Sequence, residues 1–166
     1  MQNELQKYKQ RKNPRLKNYD YTTIGGYFIT ICTKDRSNIL SEIISDEYNF
    51  RDYETEGRVD PQLLSYGIIA EKYIKSIPNS YKNITLDNYV IMPNHIHMIL
   101  ILRDKTETSV SDVIGAFKKF VYRECGKSIF QKSFHDHIIR NSKDYERIFN
   151  YIEHNPMNWE LDCFYK

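Results

Sequence analysis

An α+β fold, in the form of a ferredoxin-like antiparallel sheet with helices packed on it, is the fold class that the sequence predicts. Runs rich in β-branched and aromatic residues predict strands, and apolar stripes at helical spacing predict helices. Two of the strands are joined by only two residues, so they should be antiparallel neighbours. Along the chain the elements follow the order strand, helix, strand, strand, helix, strand, which is typical of such a sandwich.

The first strand and the first helix lie in the N-terminal half. Residues 27–33 predict the strand, and residues 39–44 predict a hairpin partner for it. Asp60 followed by Pro61 predicts a helix over about 61–77, because aspartate is a good N-cap and proline is favoured at the first helical position.

Two more strand-like runs, 84–92 and 95–102, flank the Pro93-Asn94 connection. The second helix follows them and is the clearest element. Ser109 is its N-cap, in a capping box with the acid three residues on, and a glycine stands at its expected end. The apolar stripe of this helix consists of Val110, Val113, Ile114, Phe117, Phe120 and Val121.

The last predicted strand covers residues 134–139. A third helix then begins after a cap at Asn141 or Ser142 and ends at Pro156. Its apolar stripe consists of Tyr145, Ile148, Phe149 and Ile152. The predicted elements therefore extend almost to the end of the chain.

Size and composition are typical of one compact domain over 1–166, since 166 residues with 40% hydrophobic content suit a single core. We expect no signal peptide and no membrane-spanning segment, and hence a cytoplasmic protein. The three cysteines are odd in number and widely spaced, which argues against a disulfide framework and against a zinc ribbon.

Positive charge is concentrated in an N-terminal arm, residues 1–26, ahead of a core over 27–166. Six bases fall within eleven residues that contain no acid: Lys7, Lys9, Arg11, Lys12, Arg15 and Lys17. Without residues 1–19, which hold these six of the 24 bases and one of the 22 acids, the net charge changes from +2 to −3. The arm is either a solvated tail or a surface that binds a polyanion.

His95 and His97 are the sharpest chemical feature. On a strand alternate residues point to one side, so both imidazoles project together while Ile96 and Met98 face the other way. Two polar rings with strongly apolar flanks are costly without a purpose, so we interpret them as half of a metal site rather than as structural histidines.

A second pair with the same spacing, His135 and His137, competes for this role, either as a metal ligand or as a phosphate contact. The third helix carries Tyr151 and Asn155, which share a helix face because four positions leave only about 40° between them. Tyr122 on the second helix is the rival nucleophile among 14 tyrosines. Spacing alone leaves the two tyrosines almost equal.

Several blocks of the chain together resemble the REP-associated tyrosine transposases, which are single-strand transposases with a histidine-hydrophobe-histidine (HUH) motif. The most specific blocks are Met92-Pro93-Asn94-His95-Ile96-His97 and Tyr151-Ile152-Glu153-His154-Asn155-Pro156. Shorter blocks at 15–21, 26–33, 117–118, 139–141 and 144–145 extend the resemblance over nearly the whole chain.

The resemblance implies an HUH endonuclease fold and a set of site residues. His95 and His97 would be metal ligands, Tyr151 the nucleophile, and Asn155 the third ligand, in the position that more distant members fill with glutamine. The ion would be Mg²⁺ or Mn²⁺, of which manganese suits imidazole ligands somewhat better.

The implied reaction needs no ATP. The tyrosine attacks a phosphate in single-stranded DNA and forms a 5′-phosphotyrosine link, and the released 3′-hydroxyl can later rejoin the strands. The implied substrates are short imperfect palindromes that fold into hairpins. As DNA-binding residues we predict Arg11, Lys12, Arg15, Lys17, Lys118, Lys119 and Arg140.

Two other functions remain open at this point: a hairpin-binding module with a vestigial metal site, and an HUH nuclease of replication or plasmid transfer. The latter often carries paired tyrosines, and no second tyrosine here has an asparagine or glutamine four residues on. The protein would be a monomer or a homodimer.

Overall fold

The structure is a computed structural model, and it describes residues 19–44, 60–105 and 107–165. The elements in chain order are β1 (Gly25–Cys32), β2 (Ser41–Glu42), β3 (Gln62–Leu63), α1 (Ser65–Ser80), β4 (Ile84–Ile91), β5 (His95–Leu102), α2 (Val110–Cys125), β6 (His135–Ile139) and α3 (Ser142–His154). A 3₁₀ helix over Pro156–Leu161 follows α3 directly.

Four strands form the central antiparallel sheet, in the order β4-β5-β1-β6. Together with the two helices that connect them, they follow the β-α-β-β-α-β order of a ferredoxin-like fold. The predicted fold class is therefore confirmed, as is the prediction that the strands on either side of Pro93-Asn94 are antiparallel neighbours.

Helices cover both faces of this sheet. On one face α1 and α2 pack against a cluster that includes Ile96, Met98 and Leu100 of β5. On the other face α3 and the 3₁₀ helix pack against a second cluster, which includes Ile99 of β5 and Trp159. Because β5 is buried on both sides, its polar residues must find partners inside the protein.

The hairpin predicted between residues 27–33 and 39–44 does not form. β1 pairs with β5 on one side and β6 on the other, so both of its edges are already occupied by longer strands. From the 39–44 segment only Ser41 and Glu42 form a strand, and they pair with β3. Sequence adjacency was outweighed by the apolar match of β1 to β5.

The first helix begins later and ends later than predicted. Residues 62 and 63 form β3 instead, and α1 starts after Leu64, whose N–H donates to the carbonyl of Leu40 at 2.9 Å. A Cβ atom on Gly67 would lie 2.0 Å from the same carbonyl oxygen, so only glycine permits this close approach. At the other end the helix runs through Pro78 to Ser80.

The caps of the other two helices agree with the predictions. Ser109 and Asp112 form a reciprocal capping box, and Gly126 adopts the left-handed conformation that ends α2. The side chain of Asn141 caps α3 by accepting from the N–H of Asp144. None of the described helices is both long and apolar enough to cross a membrane.

Candidate active site

His95 and His97 project from β5 into the same side of the sheet, the side that α3 covers. They lie opposite Cys32 and Thr30 of β1. Their exposed fractions are 0% and 2%, so both rings are removed from solvent. Their ring centroids are 4.5 Å apart, close enough for both to contact one ion.

The hydrogen bonds of Asn94 fix the tautomer of His95. The Asn94 amide nitrogen donates to the carbonyl of Phe164 at 2.8 Å, so its amide oxygen is left to accept. Nδ1 of His95 lies 2.9 Å from that oxygen and must therefore carry the proton. Nε2 of His95 consequently has a free lone pair, and it is buried without a hydrogen-bond partner.

His97 is held between β1 and α3. Its Nδ1 lies 2.9 Å from the hydroxyl of Thr30, and its Nε2 lies 3.3 Å from the hydroxyl of Tyr151. The ring stacks on Phe28 with centroids 5.1 Å apart. These contacts orient Nε2 toward the same space that Nε2 of His95 faces, as a ligand pair requires.

Burial keeps both imidazoles neutral. Desolvation lowers the pKa of His95 to about 4, an effect that the charge of Asp162 partly opposes. The pKa of His97 is also lowered well below its usual value, by burial and then by its neighbour His95. Neutral imidazole is the form that coordinates metals, so at neutral pH the pair is ready to bind a cation.

Asp162, just after the 3₁₀ helix, completes the cluster. One ligand atom from each of His95, His97 and Asp162 lies within 4.8 Å of the others, and these three residues form a candidate metal site. The carboxylate is held in place because its Oδ1 accepts from the N–H of Phe164 at 2.7 Å. Sequence reasoning missed Asp162, since no motif or periodicity connects it to β5.

Asn155, the ligand predicted from the sequence, lies beside this carboxylate and is 3% exposed. Its amide nitrogen donates to Oδ2 of Asp162 at 2.8 Å, whereas its Oδ1 is buried without a hydrogen-bond partner. Like Nε2 of His95, this oxygen is a buried lone-pair donor left unpaired. Two imidazole nitrogens, a carboxylate and an amide oxygen are a suitable donor set for Mn²⁺ and an acceptable one for Mg²⁺.

Tyr151 lies at the solvent side of this cluster and is 40% exposed. Besides the contact to His97, its hydroxyl donates to Oδ2 of Asp162 at 3.3 Å. Its pKa is raised, first by burial and then by the negative charge of Asp162. The hydroxyl is therefore protonated at neutral pH, and it is accessible to a large substrate.

The second histidine pair does not join the cluster. His135 lies opposite Thr30 on the side away from His97, so two strand spacings, about 10 Å, separate the two histidines. Nε2 of His137 is hydrogen-bonded to Oδ2 of Asp144 of α3 at 2.7 Å. Tyr122 lies on α2, which packs on the opposite face of the sheet, so the sheet separates it from His95 and His97.

The predicted DNA-binding residues are spread over the molecule. The ammonium of Lys118 donates to the carbonyls of Gln131 and Ser133, both at 2.9 Å, and so holds the loop that leads to β6. Lys119 and Arg140 are exposed. The arm residues Arg11, Lys12, Arg15 and Lys17 lie outside the described residues.

Comparisons with known proteins find sequence relatives but no matching family model. A protein of Haemophilus influenzae, named only as uncharacterized, is 28% identical over 93% of this chain and 93% of its own length. The REP-associated tyrosine transposase of Escherichia coli is 28% identical over 88% of this chain and 80% of its own length. A putative REP-associated tyrosine transposase of H. influenzae is 25% identical over 83% of this chain and 73% of its own length.

A solved structure also has this fold. It is that of a REP-associated tyrosine transposase bound to a REP hairpin, with a TM-score of 0.58 and 21% identity, and the match covers 87% of this chain and 74% of that one. The sequence relatives and the solved structure therefore agree. In sequence and in fold, the chain is a relative of the REP-associated tyrosine transposases.

Proposed function

We propose that the chain is a metal-dependent DNA strand transferase in which Tyr151 attacks a phosphate of single-stranded DNA. The observation that carries the proposal is the position of the Tyr151 hydroxyl, 3.3 Å from Nε2 of His97 and 3.3 Å from Oδ2 of Asp162. A half-exposed tyrosine beside a buried cluster of metal-binding groups is the arrangement that nucleophilic attack on a phosphate needs.

The groups that would hold the cation are His95, His97, Asp162 and Asn155. The unpaired lone pairs on His95 Nε2 and Asn155 Oδ1 support this assignment, because burying such atoms without a partner is costly. A divalent cation held here would polarise a phosphoryl oxygen and offset the negative charge that raises the pKa of Tyr151. We propose Mn²⁺ or Mg²⁺ as the ion.

In the reaction, the Tyr151 oxygen forms a bond to phosphorus and the bond from phosphorus to the 3′-oxygen breaks. The product is a 5′-phosphotyrosine, and the 3′-oxygen leaves with a proton as a hydroxyl. The phenolic proton passes to solvent on the exposed side of the ring, while Asp162 orients the hydroxyl through its Oδ2. Attack of a 3′-hydroxyl on the phosphotyrosine reverses these steps and rejoins DNA without ATP.

We propose hairpin-forming DNA with a single-stranded flank as the substrate. The support comes from the relative whose structure contains a REP hairpin. The basic arm, together with exposed bases such as Lys119 and Arg140, would contact the phosphates of such DNA. Lys118 would act chiefly by holding the loop before β6.

The test is the polarity of the covalent adduct. A hairpin with single-stranded flanks is labelled at its 5′ end in one sample and at its 3′ end in another, and each is incubated with protein and Mn²⁺. A 5′-phosphotyrosine retains the DNA on the 3′ side of the cleaved bond, so only the 3′ label should migrate with protein in a denaturing gel. The sample treated with EDTA is the control.

Two other outcomes would contradict the proposal. Retention of the 5′ label instead would mean that the tyrosine is joined to a 3′-phosphate and that the strand breaks on the other side of phosphorus. Tight hairpin binding without any adduct, on every hairpin and with either metal, would favour the binding module with a vestigial metal site.

A further inference from the structure

A second concave site lies away from the histidine cluster, at the C-terminal end of β1. Its volume is about 220 Å³. Its lining includes three lysines, a tyrosine and apolar residues, among them Lys34, Lys118, Lys132, Tyr122, Ile129 and Phe130. None of the described residues that line it is acidic. A small pocket with this charge is suited to a phosphate-bearing ligand.

The positive charge of this lysine pocket is held in place by the fold. Lys118 donates to the carbonyls of Gln131 and Ser133, both at 2.9 Å, so the loop before β6 fixes its ammonium group. Lys34 and Lys132 have exposed side chains at its rim. Lys34 is fixed through its backbone, since its N–H donates to the carbonyl of Ile129 at 2.8 Å.

Tyr122 supplies an aromatic surface in the same pocket. Its side chain is 53% exposed although the neighbouring Val121 is fully buried, so α2 presents the ring outward while its other face packs in the core. An exposed aromatic ring beside lysines is the combination with which proteins bind single-stranded nucleic acid, the ring stacking on a base and the lysines contacting phosphates.

The pocket and the active site lie at the same end of the sheet. Cys32 pairs with His95, and Lys34 is only two residues beyond Cys32. The N–H of Thr33, between them, donates to the carbonyl of Asn94, the residue that orients His95. The backbone of Lys34 is therefore within about 12 Å of that of His95, a distance that a few nucleotides of a single strand cover.

We propose that the lysine pocket binds one nucleotide of the single-stranded DNA flank, with its base stacked on Tyr122 and the phosphates on its 5′ and 3′ sides against Lys34 and Lys132. This inference rests on the proposed function, because it takes the flank of the substrate as the ligand. It gives Tyr122 a role in binding rather than in chemistry. The flank would then be held at two points, at the active site and in this pocket.

The experiment measures binding in a Tyr151→Phe background, so that no covalent adduct contributes. Affinity is determined for the bare hairpin and for the same hairpin with its single-stranded flanks, over a range of salt concentrations. The variants are Tyr122→Ala, Tyr122→Phe and the double change Lys34→Gln with Lys132→Gln. Lys82→Gln is the matched control, since this exposed lysine precedes β4 at the opposite end of the sheet.

Tyr122→Ala should weaken binding of the flanked hairpin about tenfold and leave the bare hairpin unchanged, whereas Tyr122→Phe should bind like its parent because stacking needs only the ring. The double lysine change should flatten the slope of log affinity against log salt by about 1.4 for the flanked hairpin, since each phosphate contact to a single strand contributes about 0.7. Lys82→Gln should change the affinity for neither DNA.

Equal affinity and an equal salt slope for parent, Tyr122→Ala and the double lysine variant would overturn the inference. So would losses of the same size on the bare hairpin, because the pocket would then not act on the flank. Adduct formation by the protein with an intact Tyr151 is measured separately, so the proposed chemistry can fail or survive independently of this result.

Discussion

The hydroxyl of Tyr151 lies 3.3 Å from Nε2 of His97, although the two residues are 54 positions apart in the chain. One comes from α3 and the other from β5, and their ring centroids are 5.2 Å apart. The contact places the half-exposed hydroxyl of Tyr151, the proposed nucleophile, against a buried imidazole whose other nitrogen lies 2.9 Å from the hydroxyl of Thr30.

Replacing His95 and His97 together by alanine should abolish Mn²⁺ binding. Both proposed imidazole ligands disappear, and a fall in affinity of at least about 100-fold is expected, because even changes to residues that merely support a ligand cost 10- to 100-fold. Calorimetric titration of Mn²⁺ into the metal-free protein measures this, with circular dichroism to verify the fold.

The matched control is the double change His135→Ala with His137→Ala, which removes a histidine pair of the same spacing from β6 of the same sheet. Its Mn²⁺ affinity should equal that of the wild type. If the His135/His137 variant loses Mn²⁺ binding and the His95/His97 variant keeps it, the metal site is on β6 and our assignment to β5 is wrong.

Asp162→Ala should also weaken Mn²⁺ binding, by about tenfold or more, because it removes the only acidic residue of the cluster. Asn155→Ala should have a smaller effect, since the oxygen ligand that we propose for this residue is neutral. Asp144→Asn is the control, because this carboxylate also has a histidine partner on the same face of the sheet. An unchanged affinity in Asp162→Ala would exclude this residue as a ligand.

Acid should destabilise the metal-free protein through His95. Its pKa is about 4 in the folded state and about 6.5 when unfolded, so between these values the unfolded chain binds a proton that the folded chain does not. The free energy of unfolding therefore falls as the pH falls through this window, by about 2 kcal/mol from this residue between pH 7 and pH 5.

Urea unfolding in EDTA at the two pH values measures this effect. His95→Gln lacks the titrating group, so the loss of stability on going from pH 7 to pH 5 should be smaller in the variant than in the wild type by about that amount. An equal loss in both proteins would mean that His95 is not held neutral by its burial.

The basic arm should contribute to DNA affinity through its charge. Deleting residues 1–18 removes six bases, and if they contact phosphates the slope of log affinity against log salt should become shallower by up to about four to five. Binding of the hairpin should weaken at the same time. A truncated protein with an unchanged slope would identify the arm as a tail that does not contact DNA.

The sequence alone was sufficient to predict those features of the fold and the site that a local pattern determines. Alternation along β5 predicted that His95 and His97 share a face, and helical spacing predicted the same for Tyr151 and Asn155, which both contact Asp162. The capping box at Ser109 predicted the start of α2. In each case the information lies within a few neighbouring residues.

The sequence alone was insufficient to predict features that depend on contacts between segments far apart in the chain. Residues 39–44 have strand-forming composition, yet β5 and β6 occupy both edges of β1. Asp162 follows an irregular segment whose path depends on tertiary contacts, such as the bond from Asn94 to the carbonyl of Phe164. No spacing rule connects such residues, so the carboxylate of the cluster was found only in the structure.

The identity of the nucleophile is tested most directly by comparing Tyr151→Phe with Tyr122→Phe. Each protein is incubated with Mn²⁺ and a labelled hairpin carrying its single-stranded flanks, and the covalent adduct is measured in a denaturing gel. Tyr151→Phe removes only the attacking oxygen, so Mn²⁺ binding and hairpin affinity should persist while the adduct disappears. Tyr122→Phe should form the adduct as the wild type does. An adduct that persists in Tyr151→Phe and is lost in Tyr122→Phe would place the nucleophile on α2, across the sheet from the histidines, and would contradict this account.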